Sequence, residues 1–160
     1  TAILARLRRD SSARATFLID RNGQQLAAQG DGLEQFDTTA LASLTAGNVA
    51  STDAIAKLIG EKEFSALVHE GDKDNLHISL VGDRVILVVI FDSRTSLGLV
   101  RLRVKRTSET LARIFETIVQ KTEREKSGAG AAAPGGAAGA AAAPSPFAEI
   151  TEDDIDNLFR

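Results

Sequence analysis

The stretch RVILVVIF, Arg84–Phe91, is almost continuously apolar and contains no turn residue. A run that short, without alternation, predicts a strand buried on both faces at the centre of a sheet. Gly82-Asp83 immediately before it predicts a tight hairpin. Upstream of that turn, Asn75–Val81 alternates, with Leu76, Ile78 and Leu80 on one side and His77 and Ser79 on the other. Downstream, Leu97–Arg106 also reads as an alternating strand, with Leu102 and Val104 inward and Arg101, Arg103 and Lys105 outward. Thr107 or Ser108 then caps a helix that carries Leu111, Ile114, Phe115, Ile118 and Val119 along one stripe. Lys121, Arg124 and Lys126 sit at its C-terminal end, where the helix dipole favours cations.

Further upstream, the stretch around Ile3, Leu4 and Leu7 reads as the end of a helix. Ala13–Asp20 reads as a strand with Phe17 and Ile19 on one face. Asn22-Gly23 predicts a type I′ hairpin turn, which needs positive φ at both positions, and Gln24–Gln29 is the returning strand. Asp37-Thr38 offers an N-cap for a helix that ends near Ile59, before Gly60. The expected order is α-β-β-α-β-β-β-α, an α+β domain with an antiparallel five-stranded sheet over residues 1–126.

The chain has 160 residues, enough for one ordinary domain, and lacks Cys, Met, Trp and Tyr. No disulfide, thiolate metal site or cysteine nucleophile is available to it. No signal peptide is recognisable, the lack of cysteine fits a reducing cytoplasm, and without Trp or Tyr there is no interfacial belt of the kind that anchors membrane proteins, so no membrane insertion is expected. The net charge of −3 averages over unlike parts. Residues 1–126 hold 18 basic and 17 acidic side chains, 127–146 hold none, and 147–160 set Arg160 against Glu149, Glu152, Asp153, Asp154 and Asp156. A neutral body argues against nucleic acid as a partner. The segment 127–146 has 10 Ala, 5 Gly, 3 Pro and 2 Ser, a composition that predicts a disordered linker.

The second helix, Thr38–Gly60, carries no charge from Thr38 to Thr52, which is unusual for a surface helix. At 100° per residue, Leu41, Leu44, Asn48, Thr52, Ile55 and Ile59 share a face, which is expected to pack on the sheet. Ala42, Ala46, Ala50 and Ala54 form a row on the other side, beside Ser43 and Gly47. Small uncharged residues in a row allow another backbone to come close. Ala46, Ala50 and Ala54 are therefore the candidate partner-binding residues, the plainer alternative being cover by another part of the same chain.

The segment 147–160 reads as an amphipathic acidic docking helix. Thr151 is its N-cap, Ile150 can staple to Ile155, and Ile155, Leu158 and Phe159 form an i, i+3, i+4 face, with Phe147 just ahead. So short a helix is marginal alone and is expected to fold in a partner's groove.

A catalytic constellation is hard to find. His69 reads as a loop residue and His77 as lying on the polar face of a strand, each more plainly a solvated histidine than a ligand. Asp72 and Asp74 read as a turn. No phosphate-binding loop is present. The row Arg101, Arg103 and Lys105 can bind an anion or act as a trans arginine on a nucleotide site, although a wetted strand face is the more ordinary reading. No metal, cofactor or catalytic residue is assigned.

Several runs resemble the Roadblock/dynein light-chain family, and in particular its MglB-like members. They are FLIDRNGQ (17–24), FDTTALASLTAGNVA (36–50), AKLIGEKEF (56–64), HEGDKDNL (69–76), VGDRVILVVIFDSRTSLGLVRLRVK (81–105) and SPFAEITEDDIDNLF (145–159). The resemblance implies a homodimer that joins two small sheets into one. It implies binding of an MglA-like Ras-family GTPase in its GTP form, two protomers to one GTPase, with stimulation of GTP hydrolysis in cell polarity and gliding, at a cell pole. The second helix would contribute the GTPase contact, at Ala50 and Ala54. No arginine finger would be inserted; the GTPase's own catalytic residues would be reoriented, with GTP and Mg²⁺ held by the GTPase. The acidic C-terminal helix would be a second contact to the same GTPase. The alternative is a dimeric scaffold that binds the GTPase or polarity proteins without accelerating hydrolysis.

Overall fold

The computed structural model describes residues 1–128. The linker beyond Gly128 and the acidic segment, with Phe147, Ile150, Ile155, Leu158 and Phe159, lie outside the described residues. The elements are α1 (Ala2–Ser11), β1 (Ala15–Asp20), β2 (Gln25–Gly30), a short 3₁₀ turn (Leu33–Gln35), α2 (Thr38–Leu58), β3 (Ala66–Glu70), β4 (Asn75–Val81), β5 (Val85–Phe91) and α3 (Leu97–Gly128). All pairings are antiparallel, in the spatial order β2-β1-β5-β4-β3.

β5 takes the central place, and all seven of its residues are buried. Its period of two sorts it between two cores. Val85, Leu87, Val89 and Phe91 face α1 and α3, where they meet Leu4, Leu7, Val100, Val104, Leu111 and Phe115. Ile86, Val88 and Ile90 face α2, together with Phe17 and Ile19 of β1 and Ile78 of β4. Helices on both sides of the sheet explain why the decisive strand needs no polar face.

The order of elements is as expected, but one strand lies elsewhere. Leu97–Arg106 is the first third of α3 and not a strand. Val100, Val104, Leu111 and Phe115 are all buried against the sheet. Their spacing of four, seven and four keeps one helical face inward for four turns, which outweighs a few residues of accidental alternation. Leu102, expected inward, is 47% exposed. The helix starts after Ser96, whose hydroxyl accepts from the Leu99 N–H, and Thr107 and Ser108 lie inside it. It also runs through Gly128, two residues into the stretch expected to be linker. The remaining strand is instead β3, which pairs with β4 from Ala66↔Ser79 to Glu70↔Asn75. Five residues with only Leu67 and Val68 as strong strand formers offer little periodicity to read.

The first hairpin also differs in detail. Gly23 has φ 85, but Asn22 does not have positive φ. The Gly23 N–H donates to the Asp20 carbonyl, and the Asp20 N–H donates to the Gln24 carbonyl. This is a three-residue loop ending in a left-handed glycine, not a type I′ turn. Asp20 stabilises it by accepting from the Asn22 and Gln24 N–H groups. A side chain at position 23 would also collide with α2, since its Cβ would lie 3.0 Å from Ser43 Cα. By contrast α2 starts as expected: the Asp37 carboxylate accepts from the Ala40 N–H at 2.9 Å, and Gly60, at φ 81, follows the last turn.

Candidate functional site

α2 lies on the sheet through its small residues. Ala42, Thr45, Ala46, Val49 and Ala56 are buried beneath it. This departs from the expected orientation: of the face expected on the sheet, Leu41 packs against the core but Leu44, Ile55 and Ile59 do not, while Ala42 and Ala46 of the opposite row are buried. The sheet face below is already filled by Phe17, Ile19, Ile86, Val88 and Ile90, so close packing is reached by bringing the helix down on alanines. Ala46, at 8% exposure, belongs to this buried side, and a partner cannot reach it without lifting the helix. Ala50 and Ala54 are exposed.

The larger side chains point outward. Leu44 is 74% exposed, Leu58 85%, Ile59 64% and Ile55 52%. With Gly47, Ser51, Ala50 and Ala54 beside them, they make an apolar strip along the whole helix. The only charged residues of α2 are Asp53 and Lys57. Asp53 is occupied: Arg21, in the β1–β2 loop, donates to it at 2.9 Å. Leu and Ile side chains left in water forgo about 1.5–3 kcal/mol each that burial would return. The sequence holds this signal in Leu44, Ile55 and Ile59. Size alone assigns such residues to the sheet, and only the sheet's own filling shows that they do not fit there.

Beside α2, β3 is an outer strand of the sheet with β4 on one side only. A shallow crevice between Val49, Thr52 and Asp53 of α2 and Ala66 and Leu67 of β3 joins the two surfaces. α2 thus lies beside the outer strand of the sheet.

Elsewhere the described residues offer little chemistry. His69 is on β3, not in a loop, and is exposed. His77 is not solvated: it is 2% exposed, between β3 and β5 on the α3 side of the sheet. Burial, and then the charge of Arg101, lower its pKa from 6.5. Its Nδ1 has no hydrogen-bond partner among the described residues. An inward neutral ring of this kind is core. Asp72 and Asp74 do lie in the β3–β4 turn, and Asp74 is paired with Arg14 at 2.6 Å. Arg101, Arg103 and Lys105 do not form a strand row: on α3, Arg101 and Lys105 are exposed and Arg103 is half-buried beside α1. No group of three His, Asp or Glu able to hold a metal ion occurs among the described residues. No helix among them is long and apolar enough to cross a membrane.

Residues 1–91 match the family model of the Roadblock/LC7 domain. No curated protein matches the chain. Solved structures do. MglB of Myxococcus xanthus is 56% identical, with a TM-score of 0.70, over 72% of this chain and 86% of that one. The gliding protein MglB of Thermus thermophilus is 41% identical, with a TM-score of 0.68, over 72% and 87%. A structure described as MglB with tetrameric arrangement is 39% identical, with the same TM-score, over 72% and 87%. The chain belongs to the Roadblock/LC7 domain family and, within it, to the MglB proteins.

Proposed function

We propose that this chain is a homodimeric activator of a Ras-like small GTPase of the MglA type. The observation that carries this reading is the uncharged apolar strip of α2, exposed in a chain of the MglB family. The dimer would form by antiparallel pairing of β3 with β3 of a second copy, the ordinary way in which a free edge recruits a strand. Two α2 helices would then lie near each other and present one composite surface. Because the GTPase is a monomer, the two identical helices would touch different parts of it, in a 2:1 complex with its GTP form.

The surface suits positioning and not direct chemistry. α2 contains no arginine, and its one cation is Lys57. GTP and Mg²⁺ would be held by the GTPase. What a small GTPase lacks is an ordered attacking water and a cation on the transferring phosphoryl group, together worth about 10³–10⁵ in rate. A dry apolar surface pressed on the GTPase's mobile loops can fix the GTPase's own residues in that arrangement. The acidic segment 147–160 would add a second contact, tethered at an effective concentration on the order of millimolar. Cell polarity and gliding, in the cytoplasm near a pole, are the setting this family likeness supports.

Single-turnover GTP hydrolysis by the cognate MglA-type GTPase, with and without saturating protein, tests the reading. Acceleration by orders of magnitude is expected. Binding without acceleration would replace activation with a scaffold role.

A further inference from the structure

α1 and α3 do not close on each other along their whole length. A cleft of about 360 Å³ opens between them. Ile3 of α1, with the buried Leu7 behind it, forms its apolar wall, and Arg6, Asp10, Arg103, Arg106 and Thr110 line the rest, three cations to one acid. Arg6 has an acidic neighbour in Asp10 at 3.6 Å. Arg103 and Arg106 have no acidic partner among the described residues, and the Arg103 Nε is buried without a hydrogen bond. The cleft therefore combines an excess of positive charge with an apolar wall.

We propose that this cleft is the resting dock of the chain's own acidic C-terminal segment, residues 150–159. The segment carries the matching pattern: Glu152, Asp153, Asp154 and Asp156 beside Ile150, Ile155, Leu158 and Phe159. The other clefts match it less well. The cleft between the β4–β5 turn and α3 is apolar enough but is lined by Asp83 and Glu116 against Arg84 alone, and repels an acidic helix. The cleft near Arg8, Arg9 and Arg94 is basic but has no large apolar side chain in its lining. Of these three, the α1–α3 cleft alone satisfies both halves of the segment.

The geometry of the chain allows the return. From Gly128 back to Thr107 is about 32 Å along the α3 axis. A Gly- and Ala-rich chain of 21 residues, the length and composition of 129–149, would span about 25 Å r.m.s. and far more when stretched. At a tethered concentration on the order of millimolar, even a weak site is substantially occupied. Docking there keeps the apolar triplet out of water, and any partner of the segment must compete with it. This inference is independent of the GTPase reading.

The absence of cysteine makes the test direct. A nitroxide on Asn157→Cys of the full chain should broaden the amide signals of residues 2–7 and 103–110 and cost them most of their intensity. Asp153→Lys with Asp154→Lys, which leaves the body untouched, should restore those signals, as should Arg6→Glu with Arg106→Glu. About 1 M salt, where the Debye length is near 3 Å, should restore them in part. Mixing isotope-labelled protein with an unlabelled nitroxide-bearing copy should produce no broadening. Broadening centred on residues 81–85 and 112–119, on α2, or nowhere overturns the proposal, as does broadening that transfers between copies. All these readings are taken without GTPase, so they stand or fall apart from the proposed function.

Discussion

The two helical layers use one sheet in opposite ways. On the α1–α3 side the large apolar residues, Leu4, Leu7, Val100, Val104, Leu111 and Phe115, point inward. Lys105, Arg106, Glu109, Arg113 and Glu116 point to water. On the α2 side, Ala42, Thr45, Ala46, Val49 and Ala56 point inward, and Leu44, Ile55, Leu58 and Ile59 point out. The first layer is a finished surface apart from the α1–α3 cleft. The second leaves apolar area uncovered on the outer face of α2, the area proposed for a partner.

The contrast can be broken at several points. Leu111 is fully buried under α3. Leu111→Ala should cost about 2–5 kcal/mol, seen as a lower urea midpoint. A loss near zero would mean that α3 is not held by its inward stripe. On the other layer, Ala50→Arg or Ala54→Arg should leave the thermal melt unchanged. Either should weaken the GTPase by about 2 kcal/mol or more, some 30-fold in a titration of hydrolysis. Ala46→Leu sharpens the same boundary, because its side chain lies under the helix: overpacking should cost about 1–3 kcal/mol of stability. If Ala46→Leu melted like the parent, the face assignment of α2 would be wrong.

His77 probes the finished side through pH. Its folded pKa lies below the unfolded value, so the unfolded state binds the proton more tightly. Stability is therefore full above about pH 6.5 and declines as the pH falls below it. Urea midpoints measured from pH 8 to pH 5 should show the decline, and His77→Leu should flatten the part that belongs to this ring. The smallest expected effect is on the charged exterior: Lys105→Glu should move stability by less than about 0.5 kcal/mol and leave GTPase stimulation alone.

The legible parts of the fold are those with strong local signals. RVILVVIF announces a doubly covered strand, Asp37 an N-cap, and Gly60 a helix end. The runs that resemble MglB-like proteins cover most of the body. The β3 strand is too short and too polar to show itself. In its absence Leu97–Arg106 reads as the missing fifth strand, since Arg101, Arg103 and Lys105 alternate with apolar residues in either conformation. His77 misleads for a related reason. Alternation implies a polar face only when one side of the sheet is open, and here both are covered. Ala50 and Ala54 follow from the small-residue row and are exposed. Ala46, on the same row, turns under the helix, because an i, i+4 row drifts by about 40° at each step and crosses from one face to another over three steps.

The amino-acid sequence alone determined the element types outside β3 and the start of α3, the family likeness, and the absence of charge between Thr38 and Thr52. These are local or compositional facts, and each segment carries its own. Which side of α2 meets the sheet was decided only in three dimensions. Both of its faces are nearly free of charge, so hydrophobicity could not rank them. The choice fell to packing: β1, β4 and β5 had already filled the space beneath with Phe, Ile and Val, and mostly small and medium residues, Ala42, Thr45, Ala46 and Val49, came down against them. Leu44, Ile55, Leu58 and Ile59 were thereby left to the outside, and with them the surface proposed for a partner.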